Sequence, residues 1–324
     1  MKKIILINFI IIFSIILLLE FTINSFKLSG LMGIQTGLIN KNDKLHFFTP
    51  NSSGIIFDKK VFIDKNGFRV PKQNFNYNGT KNVFFIGDST TFGNGVLEEN
   101  SFVGLLRKNF SNINFFNSSV PGYQIKHHII NLDQIKKFKN KNIDKIIYVF
   151  TLNDVMNSAN IIDLKNKKEV SEGSYKIKEI KFINNFNIFL RNKSYLYMYI
   201  KGKLTDPSKR WFSNTNNFYM KNDLNFLKTH LNTLKNFSKK VNADFSIIIL
   251  PYEYQTRKCD LDNLTPQRKL KNIFDDVKVK SLDFTRYFCK SNNPREKFYK
   301  FDPMHLSKKG HKLVYSQIIN EINF

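Results

Sequence analysis

The chain has 324 residues, which is enough for one large domain or two small ones with a substantial core. Its formal charge is +25, but the 51 Lys and Arg residues are spread along the chain, without a dense basic arm or a nucleic-acid motif. We therefore expect no nucleic-acid partner. The charge is explained by the Lys, Asn, Ile and Phe codons of an AT-rich genome, and a weak attraction to anionic lipid headgroups stays open.

The amino-terminal segment is apolar. Two lysines precede a run over residues 4–19 with two polar interruptions, which is close to the roughly 20 residues that cross a bilayer. Residues 20–35 contain no Ala-x-Ala cleavage site, so we predict an uncleaved signal anchor over residues 1–25 rather than a cleaved signal peptide. Because the lysines keep the amino terminus cytoplasmic, the predicted location is the cytoplasmic (inner) membrane, with a single pass and the rest of the chain on the extracytoplasmic side.

Residues 26–80 are predicted to be a tether and amino-terminal extension. The sequence Asn66-Gly67-Phe68-Arg69 lies between apolar residues, and Asn-Gly in that setting is a hairpin signal. We therefore expect a small β ribbon that packs against the main domain.

Strand and helix patterns alternate over residues 81–324, the predicted main domain. The predicted strands are Val83–Ile86, Asn114–Asn117, Lys145–Phe150, Phe245–Leu250 and Val279–Asp283. The predicted helices lie near Ser101–Phe110, Lys126–Phe138, Asp223–Val241 and Lys308–Ile322. Such alternation implies a parallel sheet covered on both faces. The predicted fold is thus α/β: a three-layer α/β/α sandwich with a mostly parallel sheet, preceded by one transmembrane helix.

An insertion over residues 157–222 is not required by this alternation. It contains an aromatic stretch, Phe186–Ile200. One interpretation is a lid, or a platform for an acyl group or glycan, beside a functional site. The other is a helical pair that covers a sheet edge.

Cys259 and Cys289 leave two possibilities open. Outside the cytoplasm they can form a disulfide that closes a loop of about thirty residues, or they can stay unpaired. His127 and His128 are adjacent and so point in different directions, and the other histidines lack a partner at ligand spacing. We expect no metal and no cofactor.

Two short segments indicate nucleophilic chemistry. The first strand ends in Gly87-Asp88-Ser89, which places the Ser89 hydroxyl at the carboxyl end of a strand, where α/β sheets gather functional groups. Asp302 and His305 lie three residues apart, and we predict that they share one helical turn capped by Asp302. The carboxylate can then orient the imidazole while its other nitrogen faces Ser89.

Four blocks carry a family resemblance: Gly87-Asp88-Ser89, Val120-Pro121-Gly122-Tyr123, Thr151-Leu152-Asn153-Asp154 and Asp302-x-x-His305. Their types and order over residues 81–324 resemble the SGNH (GDSL-type) hydrolases. The sequence Asn66-Gly67-Phe68-Arg69, about twenty residues before Gly87-Asp88-Ser89, resembles a layout common in membrane-anchored bacterial members. The SGNH fold is flavodoxin-like.

The resemblance implies a role for each block. Ser89, His305 and Asp302 would form the catalytic triad, and the oxyanion hole would combine the Ser89 N–H, the Gly122 N–H and the Asn153 amide. Thr151 departs from the family, which usually has Gly there, and this is expected to narrow the substrate groove without removing a catalytic atom. Asp88 and Asp154 are expected to order the loops.

The predicted function is a serine esterase that works through an acyl-enzyme. Its partners would be the membrane and an acylated small molecule or glycan, for example an O-acetylated envelope or surface glycan. Three alternatives remain open: an O-acyltransferase acting on a glycan, a lysophospholipase or thioesterase, and a catalytically silent glycan-binding scaffold.

Overall fold

The computed structural model describes residues 2–33, 38–41, 46–136, 138, 142–156 and 181–324. Residues 157–180 of the predicted insertion, and residues 34–37 and 42–45 of the predicted extension, lie outside the described residues. The strands are β1 (Ile39–Lys41), β2 (His46–Phe48), β3 (Ser53–Ile56), β4 (Lys59–Ile63), β5 (Arg69–Val70), β6 (Lys81–Gly87), β7 (Ile113–Asn117), β8 (Lys145–Phe150), β9 (Asp244–Ile249) and β10 (Lys280–Asp283). The helices are α1 (Lys2–Ser25), α2 (Ser89–Phe92), α3 (Phe102–Asn109), α4 (Ile125–Lys136), α5 (Lys181–Lys193), α6 (Tyr195–Thr205), α7 (Pro207–Lys221), α8 (Asn225–Lys240), α9 (Thr265–Asp276), α10 (Thr285–Lys290) and α11 (Lys308–Glu321).

The central sheet has the strand order β10-β9-β8-β6-β7-β5-β4-β3. From β10 to β7 every pair is parallel, and from β7 to β3 every pair is antiparallel. The chain leaves β6 for β7 on one side and then returns to β8 on the other side. This reversal creates a crevice beyond the carboxyl end of β6, which is where open α/β sheets bind ligands.

Helices cover both faces of the sheet, because successive side chains of a strand point to opposite faces. Along β6, Phe84 and Ile86 enter a core cluster shared with α4, α8 and α9. Val83 and Phe85 enter a second cluster shared with α3, α10 and α11. The predicted three-layer α/β/α sandwich with a mostly parallel sheet is confirmed.

The amino-terminal extension contributes three strands to this sheet. The strands β3, β4 and β5 continue it, and Arg69 of β5 pairs with Asn117 of β7. The strands β1 and β2 pair antiparallel in a separate two-stranded sheet. The hairpin signal corresponds to the turn between β4 and β5, where the Phe68 and Asn66 N–H groups donate to Asp64 Oδ1. The extension therefore covers the β7 edge and brings Arg69 toward the end of β6.

The first helix differs from the others in having no core to face. Among the described residues, α1 is the helix that is long and apolar enough to cross a membrane, and its apolar window is not buried against the protein. Near its end, Glu20 accepts hydrogen bonds from the start of α6, and Ile23 and Ser29 are buried.

The described part of the insertion is helical. The helix α7 packs against α9 and against the short 3₁₀ helix Glu253–Arg257, whereas α5 and α6 pack on each other and α6 packs on α1. Cys259 and Cys289, whose pairing the sequence left open, are joined by a disulfide with their Cα atoms 6.0 Å apart.

Candidate active site

Ser89 is the first residue of α2, directly after β6. Asp88 is the N-cap, and its Oδ1 accepts the Thr90 N–H at 2.8 Å. The helix is only four residues long and ends at Gly93, which has a left-handed backbone with φ 90° that disfavours side chains. A helix of this length is not stable on its own, because isolated helices need many more residues. The position of Ser89 therefore depends on what surrounds α2.

The structure brings Ser89, His305 and Asp302 together across 216 residues of sequence. His305 Nε2 lies 2.8 Å from Ser89 Oγ, and His305 Nδ1 lies 2.8 Å from Asp302 Oδ2. All three side chains are largely buried. Donor and acceptor are thus aligned from carboxylate to imidazole to hydroxyl, as general-base activation of a serine requires.

The predicted helical turn over residues 302–305 is wrong, because these residues form a bend. Asp302 Oδ1 accepts the N–H groups of Met304 and His305 at 2.9 and 2.7 Å, so the side chain closes the turn. The Pro303 carbonyl accepts the Glu253 N–H at 2.7 Å and is engaged outside the turn. The cap role predicted for Asp302 is present without a helix.

Charges in the site set the protonation of the imidazole. Burial alone would lower the pKa of His305, but the Asp302 carboxylate and its hydrogen bond outweigh burial and raise that pKa above 6.5. Burial would raise the pKa of Asp302, but the His305 charge and three hydrogen bonds lower it overall. The lowered pKa keeps Asp302 ionised beside the imidazole at neutral pH.

Asn153 and Gly122 lie on two loops around Ser89. Asn153 follows β8 in the 3₁₀ helix Leu152–Val155, where its Oδ1 accepts the Tyr252 hydroxyl at 3.1 Å. Gly122 has φ 81°. Two residues before it, the Val120 N–H donates to the Gly87 carbonyl at 3.0 Å. Within the described part of the chain, neither the Gly122 N–H nor the Ser89 N–H donates to an acceptor.

A buried carboxyl pair lies behind the site, and sequence reasoning missed it. The Thr151 hydroxyl is 2.9 Å from Asp88 Oδ2 and 3.0 Å from Asp154 Oδ1. A hydroxyl has one proton, so Thr151 either shares it between the two carboxyls or donates to one and accepts from the other. Burial, with the charge of Asp88 adding to it, raises the pKa of Asp154 well above its ordinary value, and burial also raises the pKa of Asp88. The Thr151 side chain, absent from the usual family pattern, makes this link.

Arg69 is a second residue whose role the sequence did not reveal. Its guanidinium is fully buried and donates to the carbonyls of Phe92, Gly93 and Val96 at 2.5, 2.7 and 2.6 Å. Burial lowers its pKa to about 10, so it stays charged at neutral pH. It thus fixes the end of α2 opposite to Asp88. The sequence does contain a sign of this role, because Arg69 stands between two apolar residues of a predicted hairpin. An arginine that is buried there must find hydrogen-bond acceptors within the protein.

No three His, Cys, Asp or Glu side chains among the described residues converge on a point where they could hold a metal ion. His128 is buried near Asp154, and burial lowers its pKa to about 3, so it is neutral.

Solved structures with a similar fold belong to the family that the sequence blocks resemble. A member of the lipolytic G-D-S-L family from Veillonella parvula is 13% identical, with a TM-score of 0.44 and coverage of 75% of this chain and 98% of that one. TesA is 9% identical, with a TM-score of 0.43 and coverage of 74% and 97%. An acetylxylan esterase from Geobacillus stearothermophilus is 15% identical, with a TM-score of 0.43 and coverage of 77% and 97%. No family model matches the chain, and no curated protein matches it in sequence. At such identities and TM-scores the likeness does not define an activity, but the structures to which this chain is similar are SGNH (GDSL-type) hydrolases, as the four blocks predicted.

Proposed function

We propose that the protein is a serine ester hydrolase that works through an acyl-enzyme. The observation that carries this proposal is the hydrogen-bonded series Asp302–His305–Ser89, with both contacts at 2.8 Å. A turn serine and a surface histidine have no reason to meet in this order, in a buried crevice, at the carboxyl end of the central strand.

The proposed reaction has two steps. Ser89 Oγ attacks the ester carbonyl while His305 Nε2 takes its proton, and His305 then returns the proton to the leaving alcohol as the C–O bond breaks. Water, deprotonated by His305, releases the acid and restores Ser89. In both steps the N–H groups of Ser89 and Gly122 and the Asn153 amide are the donors proposed for the developing oxyanion.

The proposed location is the cytoplasmic membrane, single-pass through α1, with the catalytic domain outside. The length and composition of α1 support a membrane span. The bonds from α6 to Glu20 support a retained helix, since cleavage would leave the start of α6 without them. The disulfide supports an oxidising compartment.

The proposed substrate is an acylated small molecule or glycan, with an O-acetylated envelope or surface glycan as the first to test. An O-acyltransferase would form the same acyl-enzyme and differ only in the acceptor. The exposed Phe186 and Phe189 of α5 are the observation that favours the lysophospholipase or thioesterase alternative. A screen of acetylated glycans, lysolipids and thioesters, with and without a glycan acceptor, separates these activities.

The proposal is tested by labelling the full chain with a fluorophosphonate probe. We expect the wild type to be labelled, Ser89→Ala to be unlabelled, and His305→Ala to be labelled far more slowly. Ser316→Ala on α11 and His230→Ala on α8 change the same residue types away from the site and should label normally. Absence of labelling in a folded wild-type chain would overturn the proposal in favour of the glycan-binding scaffold.

A further inference from the structure

The helix α7 lies inside the insertion, yet it contacts the candidate site at two places. At its start, the buried Ser208 hydroxyl donates to the Asp302 carbonyl at 3.1 Å. Near its end, the Tyr219 hydroxyl donates to the Leu152 carbonyl at 3.0 Å, one residue before Asn153. Ser208 and Tyr219 are about three helical turns apart, so both lie on one face of α7. This face therefore connects the turn that carries Asp302 with the loop that carries Asn153.

The start of α7 is held by a group of charged side chains. Asp206 is the N-cap, and its Oδ1 accepts the Lys209 N–H at 3.3 Å and the Arg257 guanidinium at 2.8 Å. The same guanidinium donates to Glu253 at 2.6 Å, and the Glu253 N–H donates to the Pro303 carbonyl. The hydrogen bond from Arg257 lowers the pKa of Asp206 from its ordinary value, so the carboxylate stays ionised at neutral pH. The first turn of α7 is thus fixed relative to the catalytic turn.

Trp211, in the next turn of α7, begins a hydrogen-bond series that ends at Asn153. Its indole Nε1 lies 3.3 Å from the Tyr252 hydroxyl, and this hydroxyl lies 3.1 Å from Asn153 Oδ1. Tyr252 is fully buried, and burial raises its pKa above the ordinary value of a tyrosine. The hydroxyl therefore keeps its proton throughout the neutral range and can donate it.

The chemistry of the three groups determines the direction of these two hydrogen bonds. An indole N–H only donates and an amide oxygen only accepts, whereas a phenol hydroxyl does both. Because Trp211 donates to the Tyr252 oxygen, the Tyr252 proton points toward Asn153. Without the indole N–H, the Tyr252 oxygen is free to accept from the Asn153 NH2 group instead, and the amide can then turn over. The donor at the start of the series thus favours the orientation in which Asn153 Oδ1 faces Tyr252.

This orientation matters for the proposed oxyanion hole, which needs the NH2 end of the amide. With Oδ1 bound to Tyr252, the NH2 group is the end of Asn153 that is left to donate. An amide that has turned over would present an oxygen lone pair to the developing negative charge. We propose that Trp211 is a positioning residue that holds, through Tyr252, the Asn153 amide with its NH2 group directed to the oxyanion. This inference rests on the proposed esterase function and gives the insertion a part in catalysis.

The test is the hydrolysis of p-nitrophenyl acetate by the full chain in detergent, with kcat and KM measured for each variant. Trp211→Phe keeps an aromatic ring and removes the N–H. We expect kcat to fall about three- to fivefold with KM unchanged, because one neutral hydrogen bond that supports the transition state is lost. Trp211 is partly exposed, so the urea midpoint followed by circular dichroism should stay near that of the wild type. Phe226→Leu changes a similarly exposed aromatic residue on α8 and should keep the wild-type kcat.

A double variant separates this series from an unrelated effect of the ring. Tyr252→Phe alone should lower kcat about tenfold, and adding Trp211→Phe should lower it no further, because the hydroxyl through which Trp211 acts is already gone. The fluorophosphonate labelling rates of the same variants should follow the same order.

Three results would overturn the inference while the esterase proposal stands. They are an unchanged kcat in Trp211→Phe, a higher KM alone, and a double variant in which the two effects multiply to about thirty- to fiftyfold. A folded wild type that neither hydrolyses the ester nor reacts with the fluorophosphonate would overturn the esterase proposal, and the inference with it.

Discussion

Replacing Arg69 with methionine should destabilise the domain severely without changing any proposed catalytic atom. Methionine keeps most of the apolar stem, but the carbonyls of Phe92, Gly93 and Val96 lose the guanidinium. The Phe92 and Gly93 carbonyls then keep only long contacts, from Asn117 Nδ2 at 3.4 Å and from the Val96 N–H at 3.3 Å. An unsatisfied buried carbonyl costs about 1–3 kcal/mol, and removing one partner of a buried charged network costs about 3–5 kcal/mol. Since domains are stable by only about 5–15 kcal/mol, Arg69→Met should lose a large part of the free energy of unfolding. Arg69→Lys keeps the charge but not the three-way contact, and should be intermediate.

The measurement is urea denaturation of the full chain in detergent, followed by the fluorescence of Trp211, the one tryptophan in the sequence. Arg268→Met, which removes an exposed arginine, is the matched control. In urea-free buffer, where Arg69→Met is still folded, the rate of fluorophosphonate labelling should also fall, because the end of α2 is released. A urea midpoint equal to that of the wild type would refute the reasoning, since three buried carbonyls cannot lose their donor at no cost.

Three further predictions follow from the site. Activity should rise with pH through a pKa above the ordinary 6.5 of histidine, because His305 acts as a base only when neutral. Asp302→Asn removes the charge that raises this pKa. The rise of activity with pH should then occur at lower pH, while kcat falls sharply. Tyr252→Phe removes the hydroxyl that orients Asn153, and loss of about 1.4 kcal/mol from the transition state should lower kcat about tenfold with KM unchanged. Reducing the disulfide, which closes a loop of 30 residues, should lower the free energy of unfolding by about 3.6 kcal/mol.

Each of these has an outcome that contradicts it. The role of Asp302 fails if Asp302→Asn leaves the pH of half-maximal activity where it was. A Tyr252→Phe enzyme with unchanged kcat and a higher KM would mean that the tyrosine acts on substrate binding. A reduced chain with the wild-type urea midpoint would show that the loop is held by its other contacts.

The spacing of apolar residues was sufficient to predict those strands and helices whose formation depends mainly on burial. Val83–Ile86 has no polar residue and is flanked by turn residues, and it lies at the centre of the sheet as β6. Leu227, Leu231 and Leu234 recur at helical spacing, and all three are buried on α8.

Long-range contacts were not predictable from pattern. The spacing of Asp302 and His305 suits a helical turn, but it suits equally a bend closed by the Asp302 carboxylate. The Glu253 N–H, which donates to the Pro303 carbonyl of this bend, comes from a distant part of the sequence. Arg69 contacts carbonyls more than twenty residues away. Every residue has a backbone carbonyl, so residue types do not identify these acceptors. The role of Thr151 likewise depends on two carboxyls from different loops. The catalytic roles of Ser89, Asp302 and His305, and the oxyanion-hole roles of Ser89, Gly122 and Asn153, remain predictions.

The distance between Ser89 and His305 along the chain has a consequence for biosynthesis. The two residues are separated by 216 positions, and ribosomes add about 5–20 residues per second, so roughly 10–40 s pass between their syntheses. During that interval the growing chain carries the serine but neither the base nor the carboxylate that would activate it. The nascent protein is therefore inert toward esters that it meets before its carboxyl-terminal helix has docked.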